Sequence, residues 1–358
     1  MKKIIVFRTD RLGDYIIHSR PIYELKKKIE NSQIILVCSK INKKILIEND
    51  YIDKLIIYDK KFSFFTRIKI FFEILFCKYY ATFVLDGKNF SYLCNIFLLS
   101  KYKFGISYKS IKFFFGYKFE FFKPSKIYNF FFFNKYETIT SRKYLKTSVN
   151  LCQKYLNLFN FFDLKLTPKD NYIFQPHQNA TKMYHSIKNL INLNDFVLIH
   201  FDEKWLDVLN NETDLSDAIN SLYLQIKKTI IITSYNNNFQ YFNILKKKFP
   251  YYNLENNKIK IIDKSNIMIF DNLQIFLFER FLKNSLVNIS CHSGFIAQVC
   301  GANKGKLIDI INEKDLEWYS CWAPLNTFHK FIYKSSINAG AINPKIFFKE
   351  IANSINKL

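Results

Sequence analysis

The chain has 358 residues, of which 49% are hydrophobic and 18% aromatic, with 39 Phe and 23 Tyr. Such a composition excludes an intrinsically disordered chain, which lacks the apolar surface to offset its chain entropy, and the length suggests two domains with sizeable cores. Lys and Arg total 53 against 30 Asp and Glu, a net +23 that favours polyanionic partners: nucleic acid, an acidic membrane face or phosphorylated substrates.

A short apolar run at 4–7 opens the chain as a strand and stops at a polar, glycine-containing turn. Ile16, Ile17, Ile22 and Leu25 then recur at helical spacing, and Lys26, Lys27 and Lys28 end that helix. The pattern continues with a strand at 33–37, a helix at 42–47, a strand at 55–57, an amphipathic stretch at 64–78, a buried-type strand at 82–85, a helix at 89–99 and a strand at 102–106. Periodicity loosens through the aromatic-rich 107–140 and resumes as a helix over 141–158. A polar segment holding Pro168 and Pro176 reads as the linker between domains 1–170 and 171–358. The second half repeats the logic, with strands at 196–200, 229–233, 258–262, 286–290 and 306–310. Helices are expected at 179–192, 213–227, 236–248, 271–283 and 293–301, and the last helix of the chain is a candidate to pack back on the first domain. Strands alternating with helices indicate parallel sheets covered on both faces. The expected fold is α/β, two Rossmann-like domains facing each other across a cleft, with ligands at the loops after the strands.

Those loops hold the candidate chemistry. Arg8-Thr9-Asp10-Arg11-Leu12-Gly13-Asp14 follows the first strand. Gly13 permits a tight turn there, and Asp14 falls at the helix start, as a cap or as a general base within reach of a reacting hydroxyl. In the second half, Glu203-Lys204-Trp205 follows a strand that ends in His200, and Ser293-Gly294 starts a helix. Free N–H groups at that helix start, with the Ser293 hydroxyl, suit an anionic group.

The opening segment, followed by Pro21 and Leu25-Lys26, closely resembles that of glycosyltransferase family 9, the ADP-heptose:lipopolysaccharide heptosyltransferases. Further matches run in order: Ile52-Asp53-Lys54-Leu55-Ile56, Asp86 with the helix after it, Lys103-Phe104-Gly105-Ile106, His200 with Lys204-Trp205, and Ser293-Gly294. The resemblance implies a GT-B fold, with the acceptor on the first domain and a nucleotide-sugar donor on the second. It implies inverting transfer with Asp14 as base and Lys204 against the donor phosphate, without metal or cofactor. Donor contacts are expected from His200, Trp205, Thr233, Asp263, His292, Ser293 and Gly294, and acceptor contacts from Arg8, Asp10, Arg11, Gly13 and His18. Two positions depart from the family pattern: His292 stands where it has Asp, and Ala297 where it has His. The donor contacts therefore differ, and ADP-heptose is one donor among related ones.

Other features bound the setting. Seven cysteines without a C-x-x-C pair point to reduced thiols, and the first apolar run is too short for a signal peptide. With no run long enough to span a membrane, the expected location is the cytoplasm, with peripheral contact at the inner membrane face through Phe-rich stretches such as 111–115 and 130–133. The competing expectation is that these phenylalanines are core. Residues 1–150 carry 29 Lys+Arg and 12 Asp+Glu, while 151–358 carry 24 and 18. A/T-rich codons explain lysines in both halves alike, so this asymmetry needs a second cause. An anionic glycolipid acceptor on the first domain supplies one. Two alternatives are a sugar-nucleotide-binding family member without turnover, and a basic nucleic-acid-binding protein. The last explains the charge but not the ordered motifs, so nucleic acid is not an expected partner.

Overall fold

The structure is a computed structural model that describes residues 1–46, 49–114, 117–140, 150–170, 177–208, 215–234, 240–253, 265–271, 273–334 and 344–357. It divides into two compact units, Met1–Ile173 with Glu317–Ala323, and Phe174–Leu316 with Pro324–Leu358.

In the first unit the chain runs β1 (Lys2–Arg8), α1 (Leu12–Lys28), β2 (Ser32–Cys38), α2 (Lys40–Leu46), β3 (Lys54–Ile57), α3 (Phe64–Leu75), β4 (Lys78–Val84), α4 (Asn89–Phe97) and β5 (Leu99–Phe114). Then come β6 (Tyr117–Lys123), α5 (Lys126–Phe132), β7 (Lys135–Thr140) and α6 (Cys152–Phe159). The sheet order is β3-β2-β1-β4-β5-β6, with β7 beside β5, and every pairing is parallel except β5 with β6. Ile4, Ile5, Val6 and Phe7 are all wholly buried, as expected of a central strand covered on both faces. On one face, Ile70 and Ile74 of α3 and Tyr92, Cys94 and Leu98 of the α4 region pack over Ile5, Phe7, Ile35 and Val37. Helix α1 carries Asp14 in its first turn and Lys26, Lys27 and Lys28 in its last, the sign order that a helix dipole favours.

The second unit runs α7 (Gln178–Leu190), β8 (Phe196–Phe201), α8 (Leu215–Ile226), β9 (Thr229–Ser234), α9 (Gln240–Lys246), β10 (Tyr251–Asn253) and β11 (Ile267–Asp271). It continues with α10 (Ile275–Asn284), β12 (Val287–Ser290), α11 (Gly294–Asn303), β13 (Lys306–Ile311), β14 (Phe328–Tyr333) and α13 (Pro344–Ile355), while α12 (Leu316–Trp322), between β13 and β14, belongs all but its first residue to the first unit. Its sheet is parallel throughout, in the order β10-β11-β9-β8-β12-β13-β14. Val197, Ile199 and Phe201 face a core completed by Ile219 and Leu222 of α8 and Phe347, Phe348 and Ile351 of α13.

Several expectations need correction. The loosely patterned 107–140 holds the far half of the long strand β5, then β6, α5 and β7. The expected strand at 258–262 lies outside the described residues, and β10, β11 and β14 were not foreseen. The last helix, α13, packs with α8 in the second unit. What joins the first unit from the second half is 317–323, through Leu151 N–H to the Cys321 carbonyl (2.8 Å) and Asn150 to the Ala323 carbonyl (3.0 Å).

In both sheets the chain builds outward on one side of its first strand and then resumes on the other. The switch falls between β1 and β4 in the first unit, and between β8 and β12 in the second. Loops at the carboxyl ends of those strand pairs form the crevice that such sheets use for ligands.

Candidate functional site

The first crevice is built on Arg8, the last residue of β1. Its guanidinium is buried and donates to the Leu85 carbonyl beyond β4 and to the Asp14 carbonyl (3.1 Å). It also pairs with Asp10 (3.3 Å) and, at 3.7 Å, with the Asp14 carboxylate, whose side chain is 42% exposed. A half-exposed ion pair contributes at most about 1 kcal/mol, so Arg8 is fixed chiefly by its buried carbonyl partners, and Asp14 keeps an oxygen toward solvent. The other Asp14 oxygen accepts the Arg11 N–H (3.3 Å), the backward half of a capping box at the start of α1. Asp14 is therefore both cap and exposed carboxylate.

Across the switch, buried Asp86 ties the two loops together. It accepts from Thr9 N–H (3.2 Å), the Thr9 hydroxyl (2.6 Å), the Ser91 hydroxyl (2.9 Å) and Lys88 N–H (3.2 Å). Burial, with Asp10 nearby, raises its pKa above the ordinary carboxylate value. Lys88 in turn pairs with Asp10 at 3.0 Å.

Three acceptor-side expectations change. Arg8 is a buried brace of the turn, not a solvated contact. Gly13 is the second residue of α1 and the turn is made before it; the left-handed glycine of this crevice is Gly87 (φ 63°), where a Cβ would meet the Tyr108 ring at 2.3 Å. His18 is fully buried, donates through Nδ1 to the Asp14 carbonyl (2.8 Å) and packs edge-on against Tyr155. Burial, then the charge of Arg8, drives its pKa well below the usual histidine value, so it is a neutral support under Asp14. Arg11 is exposed, and Asp10 lies between Arg8 and Lys88.

The second crevice centres on Lys204, whose ammonium donates to the His292 carbonyl at 2.5 Å and lies 3.8 Å from Asp202. Asp202 caps the 3-10 turn Glu203–Asp207 by accepting Lys204 N–H (3.1 Å), and its pKa is pushed up to about 6 by burial against the pull of Lys204. Lys334 adds a second ammonium on the Lys204 carbonyl (3.2 Å). Beside this bridge, Ser293 caps α11 by accepting the Ile296 N–H, and nothing lies within 4 Å of where a Cβ on Gly294 would stand. An open helix start next to an ammonium is suited to anionic oxygen.

His292 is held from below: its Nδ1 donates to Asp309 (2.7 Å), a wholly buried carboxylate on β13 that also accepts from His329 on β14 (3.1 Å). Burial alone would raise the Asp309 pKa, but the two imidazoles outweigh it and hold the carboxylate below its usual value. A buried carboxylate from the next strand thus stands behind His292. Asp309 and His329 were not foreseen; a lone Asp inside the apolar run Leu307 to Ile311 was the available signal.

Other donor-side expectations sort by burial. Trp205 is fully buried against Phe201 and Phe348, and its indole N–H donates to the His200 carbonyl (2.8 Å). It anchors the loop from the core, a correction of its expected donor contact. His200 shares a 3.0 Å hydrogen bond with Thr233, both buried, and burial with Lys204 nearby lowers its pKa to about 3. Asp263 lies outside the described residues. Among the described residues, no group of three or more His, Cys, Asp or Glu is placed to hold a metal ion.

Two parallel-sheet units, each with polar groups gathered at its switch point, define the GT-B class of fold. No family model and no curated protein sequence matches the chain. Solved structures do. The chain is similar to the glycosyl transferase family 9 protein of Veillonella parvula DSM 2008, with TM-score 0.68, 13% identity, and 99% of this chain and 95% of that one covered. It is similar to Escherichia coli heptosyltransferase WaaC with ADP, with TM-score 0.61, 12% identity and 99% of each chain covered. It is also similar to UDP-GlcNAc 2-epimerase from Methanocaldococcus jannaschii, with TM-score 0.55, 14% identity, and 100% and 92% covered. The fold is thus shared with family 9 glycosyltransferases over nearly the whole chain, and at a lower score with an epimerase of nucleotide sugars.

Proposed function

We propose that the protein is an inverting glycosyltransferase that moves a heptose or related sugar from a nucleotide-sugar donor to a lipopolysaccharide-core or other anionic surface-glycan acceptor. The observation that carries this reading is the pairing of Lys204 with the capped, open start of α11 at the second switch point. That arrangement suits a diphosphate leaving group, and the solved relatives include a heptosyltransferase with ADP.

In this reading the first unit binds the acceptor and the second the donor. The Asp14 carboxylate takes the proton of the acceptor hydroxyl as its oxygen bonds to the anomeric carbon. The bond from that carbon to the phosphate oxygen breaks, and its electron pair leaves with the nucleoside diphosphate. Fixed positive charge and N–H dipoles aimed at that oxygen lower the barrier because they need no reorganisation. Asp14 suits the role because Arg11 N–H and Arg8 orient it while its side chain stays open to solvent. His292, steadied by Asp309, takes the place of the family's aspartate and adds an imidazole to the donor seat.

The reading is tested by a thermal-shift screen of ADP-, GDP- and UDP-sugars, since a ligand that binds the folded state raises its melting temperature. A nucleotide sugar should stabilise the wild type and lose most of that effect with Lys204→Met. No stabilisation by any nucleotide sugar would remove the donor site.

A further inference from the structure

Helices α3, α4 and α5 lie side by side over one face of the first sheet. Phe71 of α3 meets Phe97 of α4 (ring centroids 6.0 Å), and Asn95 of α4 donates to the Tyr128 hydroxyl (3.2 Å) and the Phe132 carbonyl (3.0 Å) of α5. Their inward faces make the core described above. Their outward faces are also apolar, the reverse of what a water-facing helix carries.

On α3 the outward stripe reads Phe65, Lys69, Phe72 and then Phe76 just past the helix end, with the three rings 81%, 48% and 83% exposed. On α4, Leu93 and Phe97 stand one turn apart, 48% and 58% exposed. On α5 the outward residues are Ile127, Phe130 and Phe131, each more than 70% exposed. Eight large apolar side chains on three neighbouring helices exceed the scattered exposure that any protein surface shows, and contiguous apolar surface of this kind marks an interaction site. Of the phenylalanines in 130–133, for which membrane contact and core were competing expectations, only Phe133 is buried.

Charge selects the partner. The segments that carry this face, 60–76, 88–103 and 123–135, hold ten Lys and Arg and a single acidic residue; Lys88, Lys103 and Lys135 are held by Asp10 and by the Asn95 and Asn157 carbonyls, and the other seven still outnumber the one carboxylate. That residue, Glu73, is paired with Lys54 at 2.8 Å. Two copies of the chain meeting through this face would bring like charges together, which opposes self-association. An acidic bilayer satisfies both features at once: rings enter the headgroup–acyl boundary while lysines meet lipid phosphates. We infer that the outward face of α3, α4 and α5 docks the protein on an anionic phospholipid bilayer. Helix α4, which carries part of the face, starts at the first crevice, where its N-cap Lys88 pairs with Asp10. The docking itself is independent of the transfer reaction.

Vesicle co-sedimentation of the full chain tests it, with phosphatidylcholine vesicles compared against phosphatidylcholine–phosphatidylglycerol vesicles. The mixed vesicles should retain the wild type, neutral ones much less, and added salt should weaken retention. Phe72→Ser/Phe76→Ser and Phe130→Ser/Phe131→Ser should each reduce retention by about tenfold, with melting temperature unchanged because the rings are exposed. Lys69→Gln/Lys126→Gln should weaken retention on acidic vesicles alone. Equal wild-type sedimentation with and without acidic vesicles would overturn the inference, as would retention untouched by the Phe variants. A dimer in light scattering that the Phe variants convert to monomer would assign the face to a second copy instead. Nucleotide-sugar binding reads out separately, so loss of one result leaves the other standing.

Discussion

The ammonium of Lys204 and the carbonyl of His292 meet at 2.5 Å, joining the loops that follow β8 and β12. This bond spans the point where the strand order of the second sheet reverses, and it sets a positive charge beside the start of α11. Replacing Lys204 with Met keeps the stem that packs there and deletes the charge. Donor affinity or turnover should fall by about tenfold to a hundredfold, the range for one charge-assisted phosphate contact, measured by titration of a nucleotide sugar and by initial rates.

Asp14→Asn should separate fold from chemistry. The amide oxygen still accepts the Arg11 N–H, so the melting temperature should change little, but no group remains to take the acceptor proton. The transfer rate should fall by about 100-fold to 10,000-fold, the usual contribution of a positioned base, with donor affinity preserved.

His292→Asp, which installs the residue that family 9 carries, should destabilise this chain. Two carboxylates would then face each other where His292 and Asp309 now lie 2.7 Å apart, and one would have to take up a proton or move away. A loss of about 2–4 kcal/mol is expected by denaturant unfolding. His292→Asp/Asp309→Asn should recover much of it, and an additive double variant would show that the pair is not coupled.

The buried histidines should cost stability on acidification. The folded-state pKa of His200 is about 3, against about 6.5 in an unfolded chain. Between those values the unfolded chain binds a proton that the folded one refuses, so stability is full above the window and is lost as pH falls through it. His18 acts in the same direction. Asp202, raised to about 6, opposes them: its stabilisation grows as pH falls from that value toward the ordinary carboxylate range. Asp86 and Glu279, also raised by burial, act with Asp202, and the lowered Asp309 acts with the histidines. The histidine share is isolated by His200→Gln, which should lose less melting temperature than the wild type between about pH 7 and about pH 5; equal losses would show that His200 is not buried neutral.

Trp205→Phe should lower the melting temperature while leaving donor affinity within about twofold, because the indole is a core anchor with one internal hydrogen bond. A large loss of donor affinity at unchanged stability would return Trp205 to the donor site.

Much of the architecture is legible because apolar runs bounded by polar turns mark buried parallel strands, as in the segments now seen as β1, β2, β8 and β13. The opening motif, Arg8 to Asp14, was legible through its resemblance to family 9, since the residues alone left Asp14 between cap and base. Short apolar runs are ambiguous by periodicity: Ile267 to Phe270 forms β11 in a stretch given no strand from the sequence, and the helix expected from 271 starts at Ile275. Burial was the other hidden variable. Trp205 and His200 follow or end a strand as ligand-binding residues do, yet packing turns both inward. The Asp309 bridge joins His292 to a residue 17 positions on and another 37 on, a relation no local pattern carries. The sequence left the rings of α5 between core and membrane contact, because a Phe-rich run without clean periodicity does not show which way each ring faces.

The central claim is transfer from a nucleotide sugar with Asp14 as base. It is tested most directly by nucleoside diphosphate release, measured with an anionic glycolipid fraction for wild type and Asp14→Asn at saturating donor. Release by the wild type, with donor binding retained and release abolished in Asp14→Asn, is the predicted result. Equal release by the two proteins would contradict it.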